Sequence, residues 1–287
     1  MNARAVAETM TRELLDVATD AAGAAARLIR ASLPGNRWIE HAQAHDVKIR
    51  LDRACEQEIL RVIRARYPSH AVLSEESGFE PGADPFLWVI DPLDGTVNYH
   101  HGIPFFCTSV ACHAIGDGAE AKAAAHRLPD GRLLGRPLIG VVCDPLRDEM
   151  FAGAPGRGAS LNRGPLRAPD MKRLDEAIVA LSFGAQEESI EYICRALPGF
   201  IRLARKVRSF GSTALDMVQV AAGRIGAFVQ MGTNLWDLAA AAIIVNASGA
   251  VADVREYRPG KFRVIASASG LFEEVRHHAE GSPPRIP

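Results

Sequence analysis

Over residues 4–32, apolar side chains recur every three or four positions, as at Leu14, Ala18, Ala21, Ala25 and Leu28, which predicts a long amphipathic helix ending before Pro34-Gly35. A second helix is predicted over about Asp52 to Tyr67, with Pro68 as its stop. The period then shortens. "AVLSEESG" (71–78) is a short apolar run turning polar, and "FLWVID" (86–91) reads as a strand that stops at Pro92, which has no amide to donate. Further strands are expected at 105–115 and 138–145, and a glycine-turned hairpin at 148–162. The polar stretch 116–137 between the first two reads as an exposed excursion.

The second half alternates strand and helix: strands at 177–184, 206–212, 225–231, 249–254 and 262–269, helices from about 187–196, 213–222 and 235–246, and a last helix. Such alternation predicts layered sheets and helices. It divides the chain into an N-terminal α+β half (1–145), a C-terminal α/β half (146–278) and a tail (279–287) with no core-forming pattern, expected to be disordered.

Composition narrows the class. The chain has 287 residues, 48% hydrophobic and 23% charged, an ordinary globular balance. Net charge is −1 and the isoelectric point about 6.8, so no global basic field draws it to nucleic acid or anionic lipid, and neither is expected as a partner. Five cysteines form no CxxC pair and sit mostly among apolar neighbours, as reduced buried thiols do, and no apolar run reaches a membrane span. A cytoplasmic location is expected.

Candidate chemistry begins at "WVIDPLDGTVNYHHGIPFF" (88–106). Asp91 and Asp94 lie three apart where like charges repel, around a Pro and before a Gly. A surface β-turn accounts for DPLDG, and so does a hard divalent cation held by carboxylates, with the Gly95 and Thr96 amides free for an anion. "SEESG" (74–78) is a second acidic strand end, equally readable as a solvated turn. In "TNLWDLAAAAIIVNASG" Asn234 suits an N-cap and Asp237 the third helical position of a capping box. His41 and His45 are four apart but lack the HExxH glutamate, so a solvated surface is expected there; His100-His101 and His277-His278 read as loop and tail. The glycines at 153–158 match no nucleotide-binding spacing, and no GxSxG elbow is present.

In order, "LSEESG", "WVIDPLDGTVNYHHGIPFF", "PLIGVVCDPLRDEMFAGAPGRGASLN", "VRSFGSTALDMVQVAAGRIGAF" and "NLWDLAAAAIIVNASGA" resemble the inositol monophosphatase family, over about residues 10–270. DPxDGTxN followed far downstream by WDxAA is the specific pair. The resemblance implies an α+β fold, a layered αβαβα sandwich of the inositol monophosphatase / fructose-1,6-bisphosphatase type. It also implies dependence on two or three Mg²⁺ ions, lithium sensitivity and a homodimer. By position, Glu75, Asp91 and the main-chain oxygen of Leu93 resemble the ligands of a first metal, and Asp91, Asp94 and Asp237 those of a second. Asp52, taken as the start of the second helix, and Thr96 resemble the pair that orients the attacking water near Glu75, and the Gly95 and Thr96 amides would hold the phosphate.

Substrate contacts implied by the same resemblance are Asp94, Gly211, Ser212, Thr213, Gln230 and Asp237. Gln230 stands where inositol-preferring members often carry Glu, Ile49 replaces a common Thr, His41 a frequent Lys, and the 116–137 excursion is longer than usual. The expected activity is metal-assisted hydrolysis of a small polyol or sugar monophosphate, inositol 1-phosphate first. Fructose 1,6-bisphosphate, histidinol phosphate and a 3′-phosphonucleotide follow. No covalent phosphoenzyme is expected, since no activated nucleophile accompanies the acids. The alternative of another class is a non-catalytic phosphate-binding or regulatory protein.

Overall fold

The structure is a computed structural model that describes residues 3–33, 44–116 and 126–281. Two sheets carry the fold. Strands β1 (Ala71–Ser74), β2 (Gly78–Glu80), β3 (Phe86–Asp94), β4 (Cys107–Gly116), β5 (Leu133–Asp144), β6 (Glu149–Ala154), β7 (Gly158–Leu161) and β8 (Gly164–Leu166) form an eight-stranded sheet in the order β2-β1-β3-β4-β5-β6-β7-β8. Strands β9 (Ile178–Phe183), β10 (Lys206–Arg208), β11 (Ala227–Thr233), β12 (Val251–Arg258) and β13 (Lys261–Ser267) form a second in the order β10-β9-β11-β13-β12.

Side-chain alternation along β3 shows how the layers arise. Leu87 and Val89 enter the core between the sheets, while Trp88 and Ile90 face helices α1 (Ala3–Ala31) and α2 (Ala44–Arg66). Helices α5 (Thr213–Ala221) and α6 (Leu235–Ala247) fill the space between the sheets, which is why both are apolar nearly all round. Their fit is close: a Cβ on Gly140 of β5 would lie 2.3 Å from the Ala240 carbonyl oxygen of α6. Helices α4 (Glu187–Leu203) and α7 (Phe272–Glu280) cover the outer face of the second sheet, against Val179, Val229 and Ile265. The layers therefore run α, β, α, β, α, the sandwich expected from the sequence.

Several boundaries differ from expectation, each for a tertiary reason. β3 does not stop at Pro92. The ladder to β4 breaks between Asp91 and Asp94 and resumes at Asp94, opposite Cys107, while the Pro92 carbonyl accepts from Thr108 Oγ1 at 2.9 Å. α2 begins at Ala44, so Asp52 lies inside the helix and not at its start. The excursion is shorter than 116–137: Leu133 to Pro137 already belong to β5, and His126 and Leu128 are buried. α4 runs on to Leu203, through Pro198.

The first sheet continues to Leu166, so the halves expected to meet at 145/146 share it. His277 and His278 are helical, and Ala279 and Glu280 close α7 instead of starting a tail. His41, the side chains of His45 and Ile49, residues 117–125 and the last residues of the tail lie outside the described residues. Among the described residues no helix is long and apolar enough to cross a membrane.

Candidate active site

Parallel pairing sets β1 and β3 side by side, Ser74 opposite Ile90, so their carboxyl ends open at one edge of the sheet. Glu75 follows β1, its amide still tied to the Ile90 carbonyl at 3.2 Å. Asp91 is 1% exposed, and its Oδ1 accepts the Leu93 N–H at 3.1 Å, a side chain bonding its own backbone two residues on. The Leu93 carbonyl accepts from Thr96 Oγ1 at 2.9 Å. Gly95 turns the chain into α3 (Thr96–His100) at φ 90°. A Cβ there would sit 3.0 Å from the Phe105 carbonyl and 3.1 Å from Ser212 Cβ, so conformation and space both require glycine.

Asp94, 8% exposed, joins this edge to α5. Its Oδ2 accepts from Ser212 Oγ at 2.6 Å and the Ala214 N–H at 2.7 Å, its Oδ1 from the Thr213 N–H at 3.2 Å, and the Cys107 thiol lies 3.7 Å from Oδ2. An acid answering the exposed amides of a helix N-terminus is a favourable pairing. The Thr213 hydroxyl is also engaged, donating to Gln230 Oε1 at 2.8 Å. Gly211 is held through Asn98, whose Nδ2 donates to the carbonyls of Phe105 (2.8 Å) and Phe210 (2.6 Å).

Asp237 sits at the mouth of α6 in the capping box its sequence suggests. Its Oδ2 accepts from the Asn234 N–H at 2.8 Å, Asn234 Nδ2 at 3.3 Å and Thr233 Oγ1 at 2.6 Å. Lys261 Nζ donates to Asn234 Oδ1 at 2.7 Å and draws the Asp237 carboxyl down.

Burial first, and then the charges of Glu75, Asp94 and Asp237, push Asp91 well above the usual carboxylate range, and Glu75 shares a hydrogen bond with it. Asp94 is raised to about 7 by burial and then by Asp237, against the pull of Ser212, Ala214 and Thr213. Asp237 is raised by burial, with its cap donors opposing. The four acids thus act on one another, although Glu75 and Asp237 lie far from Asp91 along the chain. Asp52 is buried on α2, a helix that packs against β3 and α3.

As they stand these acids are not a coordination shell: among the described residues no three His, Cys, Asp or Glu side chains are gathered to hold an ion. Asp94 and Asp237 are turned onto helix termini. The donor set nevertheless fits a hard divalent cation, being all oxygen and mutually repelling, with Asp91 and Asp94 buried and Glu75 reachable from solvent.

Four residues here are not singled out from the sequence. Asn98, which closes the DPxDGTxN motif, is one. Glu56 of α2 accepts from Ser77 beside Glu75. Lys261 reaches the α6 cap from β13. Asp216 is 1% exposed in α5, its carboxyl raised by burial and then by Asp94, against the pull of the Ser212 and Gly211 amides. For Asp216 the clue is an acid inside an otherwise apolar helix.

The model of the inositol monophosphatase family matches residues 10–118 and 133–281, and the gap falls in the excursion. The Nus factor SuhB of Pseudomonas aeruginosa is 37% identical over 244 residues, covering 82% of this chain and 83% of that protein. The inositol-1-monophosphatase of Synechocystis is 32% identical over 251 residues, 85% of this chain and 80% of that protein. Among solved structures, an inositol monophosphatase from Anabaena (Nostoc) superposes with a TM-score of 0.77 at 30% identity, covering 96% of this chain and 98% of that one.

Proposed function

Because the chain belongs to the inositol monophosphatase family, we propose that it is a Mg²⁺-dependent phosphatase of small polyol or sugar monophosphates, with inositol 1-phosphate as its first substrate. The observation that carries this reading is the mutual repulsion of Glu75, Asp91, Asp94 and Asp237 around one sheet edge, with Asp91 and Asp94 buried, an arrangement a cation relieves. Glu75, Asp91 and the Leu93 carbonyl would hold a first ion, and Asp91, Asp94 and Asp237 a second. Such ions supply, when bound, charge neutralisation of the phosphoryl oxygens and a lowered pKa for water.

The chain's own groups do the rest. Thr96 Oγ1 spends its proton on the Leu93 carbonyl, which leaves its lone pairs to accept from a water held between Thr96, Asp52 and Glu75. That water is then oriented for in-line attack on phosphorus. The Gly95 and Thr96 amides, at the turn where glycine is required, would bind phosphoryl oxygens. Substrate hydroxyls would meet Asp94, Asp237 and the Gly211–Thr213 turn. With Gln230 in place of a carboxylate, hydrogen bonding to those hydroxyls is not charge-assisted. Lithium inhibition, a homodimer and a cytoplasmic location belong to the same reading.

A second reading, a regulatory protein that keeps the fold, is favoured by the name Nus factor SuhB carried by the Pseudomonas aeruginosa relative and by one from Escherichia coli. Phosphate release separates the two. Inositol 1-phosphate, fructose 1,6-bisphosphate, histidinol phosphate and a 3′-phosphonucleotide are offered with Mg²⁺ and with EDTA. The phosphatase reading expects Mg²⁺-dependent release, largest from inositol 1-phosphate. No metal-dependent release from any of them would select the regulatory reading.

A further inference from the structure

Glu56 lies on the same face of α2 as Asp52, one helical turn further on, and both are buried. Its Oε1 accepts two hydrogen bonds from Ser77, one from the N–H at 3.1 Å and one from Oγ at 3.0 Å. Ser74 pairs with Gly78 across the β1–β2 hairpin, so residues 75–77 are the whole loop, with Glu75 at its start and Ser77 at its end. The start is tied to β3 by the Glu75 N–H to the Ile90 carbonyl. The end is tied to α2 by Glu56. A carboxylate held at 6% exposure is tolerated only while its donors stay in place, so the contact constrains both partners.

We propose that Glu56 is a positioning residue: through Ser77 it fixes the loop that carries Glu75 relative to Asp52, so that both acids of the water-orienting set are referenced to one rigid helix. The inference rests on the phosphatase reading of Glu75 and Asp52. It deepens that reading by adding a group that touches neither metal nor substrate and whose loss shows as misplacement of Glu75.

The test compares wild type, Glu56→Leu, Glu56→Gln and Ser77→Ala by calorimetric titration of the metal-free proteins with Mg²⁺. It also measures kcat and KM on whichever substrate the wild type hydrolyses fastest. Glu56→Leu removes the acceptor at similar volume. Its Mg²⁺ affinity and kcat are expected to fall by about 10- to 100-fold with KM unchanged, a split that general loosening of the fold would not produce.

Glu56→Gln keeps an acceptor oxygen for Ser77 and is expected to restore both. Ser77→Ala loses one of two donors and is expected to fall by a smaller factor. A folded Glu56→Leu with wild-type Mg²⁺ affinity and kcat overturns the proposal, as does Glu56→Gln falling as far as Glu56→Leu. If Glu56→Leu does not fold, Ser77→Ala decides, and an unchanged Mg²⁺ affinity there overturns it. If the wild type releases no phosphate from any substrate, the phosphatase reading fails on its own, and the Mg²⁺ titration of the same variants still rules on Glu56.

Discussion

Strand β4 passes a buried ionisable group at each end, and the two ends differ in what surrounds that group. At one end Cys107 lies beside Asp94, and Asp91 pairs across the ladder with Ser109. At the other, His113 is buried with neither ring nitrogen in hydrogen-bond geometry. Burial pushes it down to about 4, the Gly135 backbone offsetting only in part and His126 adding slightly. A lone buried histidine escapes the burden by staying neutral. The acids at the opposite end are raised by one another as well as by burial, which neutrality of a single group does not relieve. One end is explained by packing; the other calls for a ligand.

Within the acidic end the same contrast recurs. Asp94 and Asp237 each accept three hydrogen bonds from nitrogen and hydroxyl donors at helix N-termini, whereas Asp91 has the N–H of Leu93 and otherwise only the bond it shares with Glu75, itself an acid. Two of the acids therefore have structural work in the absence of metal, and Asp91 has little.

The strongest way to break that distinction is substitution of each aspartate. Asp91→Ala is expected to lower kcat by ~10³-fold, yet leave metal-free melting unchanged or higher, because it removes a repelled charge. Asp94→Ala is expected to lower kcat to a similar extent and, unlike Asp91→Ala, to lower metal-free stability by about 1–3 kcal/mol, since buried amides of α5 lose their acceptor. Denaturant unfolding in EDTA checks both. Equal stability losses for the two variants would erase the distinction.

A pH series sharpens the comparison of the two β4 ends. A carboxyl whose folded pKa is raised lends stability below the ordinary carboxylate range that is lost as pH rises, here through about 7 for Asp94. His113, lowered from 6.5 to about 4, lends stability present above 6.5 that is lost as pH falls toward 4. Between about pH 4 and 6.5 the two slopes oppose each other, so melting temperature in EDTA is expected to change little there and to fall as pH rises further through about 7. His113→Phe should unmask a decline that begins near pH 4, and Mg²⁺ should soften the decline toward pH 7 in both proteins. A His113→Phe profile superposable on wild type would remove the histidine from the account.

The smallest expected effect concerns the substrate side. Gln230→Glu restores a charged acceptor and is expected to raise kcat/KM for inositol 1-phosphate by roughly fivefold. A decrease would mean that the amide, held by the Thr213 hydroxyl, serves a substrate with acceptors in place of hydroxyls.

Much of this molecule was legible in its sequence, because the signals are local. The alternation of Leu87 and Val89 against Trp88 and Ile90 marks a strand buried on both faces, the nearly seamless apolar run after Asp237 marks an interlayer helix, and Asn234 with Asp237 marks its start. The sequence by itself settled the layers and the family resemblance, since periodicity and caps are properties of neighbouring residues. Only the tertiary structure decided that β3 outruns Pro92, that Asp94 meets the amides of α5, that Asn98 pins the loop at Phe210, and that Glu56 grips Ser77. Those contacts join residues 13 to 120 positions apart, and which donor meets which acceptor is fixed by how the sheets and helices pack, something no window along the chain contains.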